Sequence, residues 1–197
     1  MTLCLTDFDA KYAPLIATWV RNDRELEWLA PRTTPPLTAA KVMAWGRERE
    51  HRFLLWDAVA GAPVGYSELN EMPGDRDAYW IGHFLVDPGR RGRGIGKRFV
   101  QALLHHGFEA WNAREVSLVV FPENHSAIRC YELNGMLSMG MEFKYFKETR
   151  RRHEFLRMAI RRRRFGQLSE AGRYGENTIP YVEDVAAFRR GSGAEAS

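Results

Sequence analysis

Trp80-Ile81-Gly82-His83-Phe84-Leu85-Val86-Asp87-Pro88-Gly89-Arg90-Arg91-Gly92-Arg93-Gly94-Ile95-Gly96-Lys97 reads as three consecutive elements. A mostly apolar run suits a strand, Asp87-Pro88-Gly89 breaks it, and a glycine-rich loop leads into a helix. That helix is expected over Ile95–Trp111, where Ile95, Phe99, Leu103 and Val100, Leu104, Phe108, Trp111 make one broad apolar face. Glycines ahead of a helix start let backbone N–H groups approach a ligand closely, and the helix N-terminus favours negative charge, so the loop reads as a phosphate cradle. Two common cradles do not fit. A Walker A loop would need Gly where Arg91 stands and Ser or Thr where Arg98 stands, and a dinucleotide fingerprint would need its third glycine at Lys97.

Outward from this segment, strand patterns occur at Leu3–Leu5, Phe53–Ala60, Pro63–Leu69, Tyr79–Val86, Glu115–Phe121, Leu137–Phe146 and His153–Ile160. Helical spacing appears at Tyr12–Arg21, at Thr38–Glu50 and at His125–Leu133, the last with Asn124 as N-cap and Gly135 just past its end. Pro31, Pro35 and Pro36 stiffen the loop between the two early helices. The order predicts a mixed α/β sheet with helices on its faces. Residues 1–160 are expected to form one domain and 161–197 a basic extension, with Gly191–Ser197 disordered and Gln167–Arg190 without an assigned place.

With 197 residues, 45% hydrophobic and 12% aromatic, the chain is neither a disordered tail nor a disulfide-stapled miniprotein. Its only cysteines, Cys4 and Cys130, lie far apart, so neither a disulfide framework nor a cysteine-based zinc site is expected, and no metal. The N-terminal residues lack a signal-peptide pattern and no apolar run is long enough to span a membrane, which together predict a cytoplasmic protein. The net charge of +4 conceals an uneven distribution: five basic and no acidic residues in Gly89–Arg98, and ten basic against two acidic in Lys144–Arg164. The second run reads first as a solvated face, and nucleic-acid binding through it stands as an alternative that is not expected.

Arg91-x-x-Gly94-x-Gly96 following Val86-Asp87-Pro88 resembles the acetyl-CoA signature of the GCN5-related N-acetyltransferase superfamily, Q/R-x-x-G-x-G/A. A second motif lies downstream in register. Asn124-x-x-Ala127-x-x-x-Tyr131-x-x-x-Gly135-Met136 resembles the family's N-x-x-A-x-x-x-Y-x-x-x-G-F, with Met136 in place of Phe. The resemblance implies a twisted, mostly antiparallel sheet whose central strand pair splays apart to admit acetyl-CoA as cosubstrate. It implies that backbone groups of Phe84, Leu85 and Val86 hold the pantetheine arm. The N–H groups of Arg91, Gly92, Arg93, Gly94, Ile95 and Gly96 would hold the pyrophosphate, with Arg90, Arg91, Arg93, Lys97 and Arg98 supplying positive charge. Asn124 and Ala127 would line the pantetheine path, and Tyr131 would protonate the leaving thiolate.

The resemblance does not place the general base at one position. Glu68 is the first choice and His83 the second; Trp80 stands where histone-acting relatives carry a glutamate. Trp28, Tyr66, Tyr79 and Trp80, with Glu71 nearby, are expected to form an aromatic, acidic pocket for a cationic acceptor. The function implied is acetyl transfer to a primary amine of a small molecule or peptide, with a homodimer expected by analogy. A module that binds acyl-CoA without turnover is the competing reading.

Overall fold

The protein is described by a computed structural model covering residues 1–46, 50–175 and 178–193. Its strands are β1 (Leu3–Asp7), β2 (Glu50–Asp57), β3 (Ala62–Met72), β4 (Asp75–Val86), β5 (Glu115–Val120), β6 (Leu137–Phe146) and β7 (Arg151–Arg161). They form one sheet in the order β1-β2-β3-β4-β5-β7-β6. Every neighbouring pair is antiparallel except β4–β5, which is parallel. Each expected strand is present: β1, β3, β4 and β7 are longer than expected, β6 matches, β5 stops one residue short at Val120, and β2, expected over Phe53–Ala60, is shifted to end at Asp57.

The helices are α1 (Ala13–Thr18), α2 (Asp23–Leu29), α3 (Ala39–Trp45), α4 (Ile95–His105), α5 (His125–Leu133), α6 (Arg162–Glu170) and α7 (Val185–Gly191). Two early helices were expected and three are found. The first, expected over Tyr12–Arg21, is α1 and ends at Thr18; α2 was not expected, and it starts where Asn22 is extended and its side chain accepts from the Glu25 N–H at 2.9 Å. The helix expected over Thr38–Glu50 is capped by Thr38 and ends at Trp45; residues 47–49 lie outside the described residues, and Glu50 begins β2. The long helix is regular to His105 and widens into a π-turn over His106–Ala110.

Two layers cover the sheet. On one face Phe99, Val100, Leu103 and Leu104 of α4 pack with Leu69, Val86 and Val116. On the other, Ile16, Leu26, Val42 and Trp45 from α1 to α3 pack with Leu54, Tyr66 and Leu85. The two faces are set by a bulge in β4. Tyr66 pairs with Leu85 while Glu68 pairs with Gly82, so β4 carries one residue more than β3 across this interval. His83 takes up the distortion with φ +41°. In consequence Tyr79 and Ile81 before the bulge face α4, as Phe84 and Val86 do after it.

The chain after residue 160 packs into the same core. Phe165 and Tyr174 stack on one another and join the α4 cluster with Ile179. Leu5 N–H donates to Pro180 O and Val182 N–H to Leu5 O, both at 2.8 Å, covering the free edge of β1. Gly191 closes α7, so helix reaches into the stretch expected to be disordered, while residues 194–197 lie outside the described residues.

Candidate functional site

β4 and β5 pair only at Ala78–Glu115, Tyr79–Val116 and Trp80–Ser117. Beyond that point the strands part, leaving the edge of β4 from Ile81 to Val86 and that of β5 from Leu118 to Val120 without each other. Backbone groups in such a cleft need partners, which makes an open edge a recognition element. Phe84, Leu85 and Val86 lie on this open stretch of β4, held from the far side by β3 through Tyr66–Leu85 and Gly65–Val86.

At the mouth, Asp87 accepts from the Gly89 N–H at 2.8 Å and turns the chain. Gly92 and Gly94 both have φ +75°, and a Cβ on either would meet nothing within 4 Å. Glycine is required there by backbone angle rather than by crowding, and the open space lies where a ligand would approach. Arg93, Gly94, Ile95, Gly96 and Lys97 then open α4, whose first turn carries no acidic residue.

The basic residues of the loop divide. Arg91 donates to Val86 O at 3.0 Å, to Trp19 O at 3.0 Å and to Glu25 Oε1 at 2.9 Å. Arg90 pairs with Asp57 at 3.0 Å. Both side chains were expected to serve phosphates and instead brace the loop against α1, α2 and β2. Burial works against the charge on Glu25, but Arg21 and Arg91 outweigh it and hold its carboxyl at about 2. Arg93 is exposed, Lys97 and Arg98 are half-buried, and none of the three is in an ion pair among the described residues.

Asn124 accepts from the Ala127 N–H at 3.2 Å and so starts α5. Asn134 at the far end donates to Cys130 O at 2.9 Å and Lys97 O at 3.1 Å, tying α5 to the first turns of α4. This brings Tyr131 beside the cleft, with its ring edge-on to Phe84 at 6.0 Å. Burial pushes its phenol far above the usual range, so it holds its proton.

On the opposite face of β3 and β4 lies a buried polar cluster. Glu68, expected as the base, is 0% exposed. Its carboxylate accepts from Tyr66 Oη at 2.8 Å and Asn70 Nδ2 at 3.3 Å, and Arg52 stands opposite it in register. Nδ1 of His83 is 2.8 Å from Glu68 Oε1, although its N–H points off that line and makes no hydrogen bond. Burial opposes ionisation of Glu68, but the contacts of His83, Tyr66 and Asn70 hold its carboxyl below the ordinary value. Glu68 thus lies one layer beneath the surface, with no exposed area for an acceptor to reach and with His83 beside it. The His83 side chain is 20% exposed and stacks flat on Trp45 at 4.3 Å. Trp45 in turn donates to Thr33 in the proline loop at 2.9 Å.

The expected aromatic pocket does not assemble as one set. Trp80 lies half-buried beside Gly82 and Glu68, and Tyr66 is fully buried with its ring 6.0 Å from that of Trp45. Tyr79 points to the α4 face and packs on Trp111 at 5.1 Å, because neighbours along a strand face opposite ways. Trp28 packs with Phe121, Phe146 and Phe155. Trp45 and Asn70 were missed; helical spacing marks Trp45 as buried, but nothing local says that it meets His83.

The fold matches solved N-acetyltransferases. An aminoglycoside acetyltransferase in complex with coenzyme A superposes with a TM-score of 0.67 at 20% identity, covering 85% of this chain and 99% of that one. The spermidine N-acetyltransferase of Vibrio cholerae in complex with CoA and spermine gives 0.68 at 21% identity, covering 83% and 98%. In sequence, the spermine/spermidine N(1)-acetyltransferase of Bacillus subtilis (strain 168) is 32% identical over 97 residues, 47% of this chain and 64% of that protein. An aminoglycoside N(6')-acetyltransferase type 1 of Klebsiella pneumoniae is 29% identical over 90 residues, 41% of this chain and 45% of that protein. The chain therefore spans less than two thirds of either curated relative. The model of the acetyltransferase (GNAT) family matches residues 18–136, from α1 through the splayed strands and the glycine loop to the end of α5, and the chain belongs to that family.

Proposed function

We propose that this protein transfers the acetyl group of acetyl-CoA to a primary amine of a small cationic molecule. The observation that carries the reading is the open β4 edge running into a glycine cradle at the start of α4. Backbone groups of Phe84, Leu85 and Val86 pair with the pantetheine arm and polarise the thioester carbonyl. The N–H groups of Arg91, Gly92, Arg93, Gly94, Ile95 and Gly96 hold the pyrophosphate, with charge from Arg93, Lys97 and Arg98. Asn124 and Ala127 line the arm's path along α5.

The acceptor arrives as an ammonium and must lose a proton before it attacks. His83 takes that proton through Nε2, and Glu68, 2.8 Å from its Nδ1, acts as a positioning residue that orients the ring. The amine nitrogen bonds to the thioester carbon, the C–S bond breaks, and Tyr131 donates a proton to the departing sulfur. The second amine proton leaves to solvent. Trp45 and Trp80 form the acceptor side, and support for a polyamine or aminoglycoside acceptor comes from the names of the relatives. Residues 1–160 carry the chemistry, and those that follow brace the core. The free thiols of Cys4 and Cys130 support a cytoplasmic setting, and a homodimer is the proposed working form.

Release of free thiol from acetyl-CoA, measured over spermine, spermidine, aminoglycosides and lysine peptides, tests the reading. Turnover with a polycation is expected, falling about 100-fold in Tyr131→Phe while CoA affinity is retained. Binding of CoA without thiol release on any of these amines would instead establish a binding module.

A further inference from the structure

We infer that β6 of one chain pairs antiparallel with β6 of a second copy, centred on Phe143. The inference rests on the homodimer proposed above and assigns its surface.

β6 is the last strand of the sheet and pairs only with β7. Its outer edge is ten residues long. Met139, Met141, Phe143 and Tyr145 on it are 52, 46, 58 and 60% exposed. Met141, Phe143 and Tyr145 alternate on one face, opposite Leu156, Glu154 and Arg152 of β7, and Met139 adds to them at a bulge. A long apolar edge with free backbone groups invites another strand, and single-chain proteins usually blunt such edges with charge, proline or short length. The opposite end of the sheet is treated differently: residues 180–182 cover β1. Among the described residues no strand pairs with the outer edge of β6, although the Arg152 guanidinium lies over the Phe143 ring at 4.3 Å.

Charge selects the partner and the register. Glu142 and Lys144 follow one another on the other face of β6, 3.6 Å apart, and Glu142 also meets Arg157 of β7 at 3.3 Å. A two-fold axis perpendicular to a continuous sheet must place like faces opposite each other, so one residue of each strand lies on the axis. Centring on Glu142 sets two carboxylates opposite each other, and centring on Lys144 does the same with two ammonium groups. Centring on Phe143 sets Glu142 opposite Lys144 of the second copy, twice by symmetry, and Met141 opposite its Tyr145. Apolar residues meet apolar ones and opposite charges meet, which is the cross-strand complementarity that stabilises antiparallel pairs. The occupant that this edge fits is therefore a copy of itself.

Sedimentation and cysteine crosslinking of the full chain test this. Wild type is expected to sediment as a dimer, and Phe143→Glu as a folded monomer at the same concentration, since the side chain is exposed. Phe143→Cys should crosslink to itself under mild oxidation. Met141→Cys should not, because its own copies lie about four residue steps apart, roughly 13 Å; wild type reports any contribution from Cys4 and Cys130. A monomeric wild type overturns the homodimer and the surface together. A dimer that survives Phe143→Glu, or that crosslinks at Met141→Cys and not at Phe143→Cys, overturns the surface alone.

Discussion

Glu68 illustrates how one residue's role depends on its depth. A carboxylate with no exposed surface cannot meet a diffusing ammonium, but it can hold a partly exposed imidazole beside it. His83→Gln is therefore expected to lower kcat by about 100-fold or more, with the KM of acetyl-CoA little changed and activity partly restored by added imidazole in His83→Ala. Glu68→Gln should lower kcat less than His83→Gln does, measured under the same conditions. Had Glu68 itself been the base, the order would reverse. The face of Glu68 was legible from alternation along β3. Its burial was not, because it depends on His83 of β4 and on Trp45 of α3, which stacks on that histidine.

At the scale of elements, the junction between β4 and α4 joins two kinds of constraint. The positive φ of Gly94 is local, and a side chain there is strained whatever its surroundings. Gly94→Ala is expected to cost about 1 kcal/mol of stability in urea titration and to raise the KM of acetyl-CoA more than that of the amine. The brace by Arg91 is not local, since Glu25 is 66 residues away. Because the folded carboxyl of Glu25 is held at about 2 against an ordinary value of 4.5, its contribution is present above pH about 4.5 and is lost as pH falls towards 2. Denaturation midpoints followed from pH 7 to pH 2 should fall less steeply in Glu25→Gln than in wild type; parallel curves would show that the ion pair contributes nothing. The glycine pattern is visible in the sequence because it answers to backbone angle alone. The destination of Arg91 is not, since any arginine in a phosphate loop reads as a phosphate ligand until its partner is seen.

For the whole molecule, the segment after residue 160 is part of the core. Phe165 is buried against Phe108 and Tyr174. Phe165→Ala should destabilise the fold by about 3 kcal/mol, read from urea midpoints, although the residue lies outside the region that matches the family. Hydrophobic spacing alone left this segment unplaced because its buried residues, Phe165, Tyr174 and Ile179, follow no single helix or strand period. By itself, the sequence determined the seven strands, the glycine cradle, the capped helix that carries Tyr131 and the family, since dihedral preference, periodicity and capping act among near neighbours. Only the tertiary structure decided that His83 stands in front of Glu68, that Arg90 and Arg91 face inward, that Tyr79 leaves the pocket and that the C-terminal segment covers β1. Burial and charge pairing are settled between residues that the chain brings together only after it has folded.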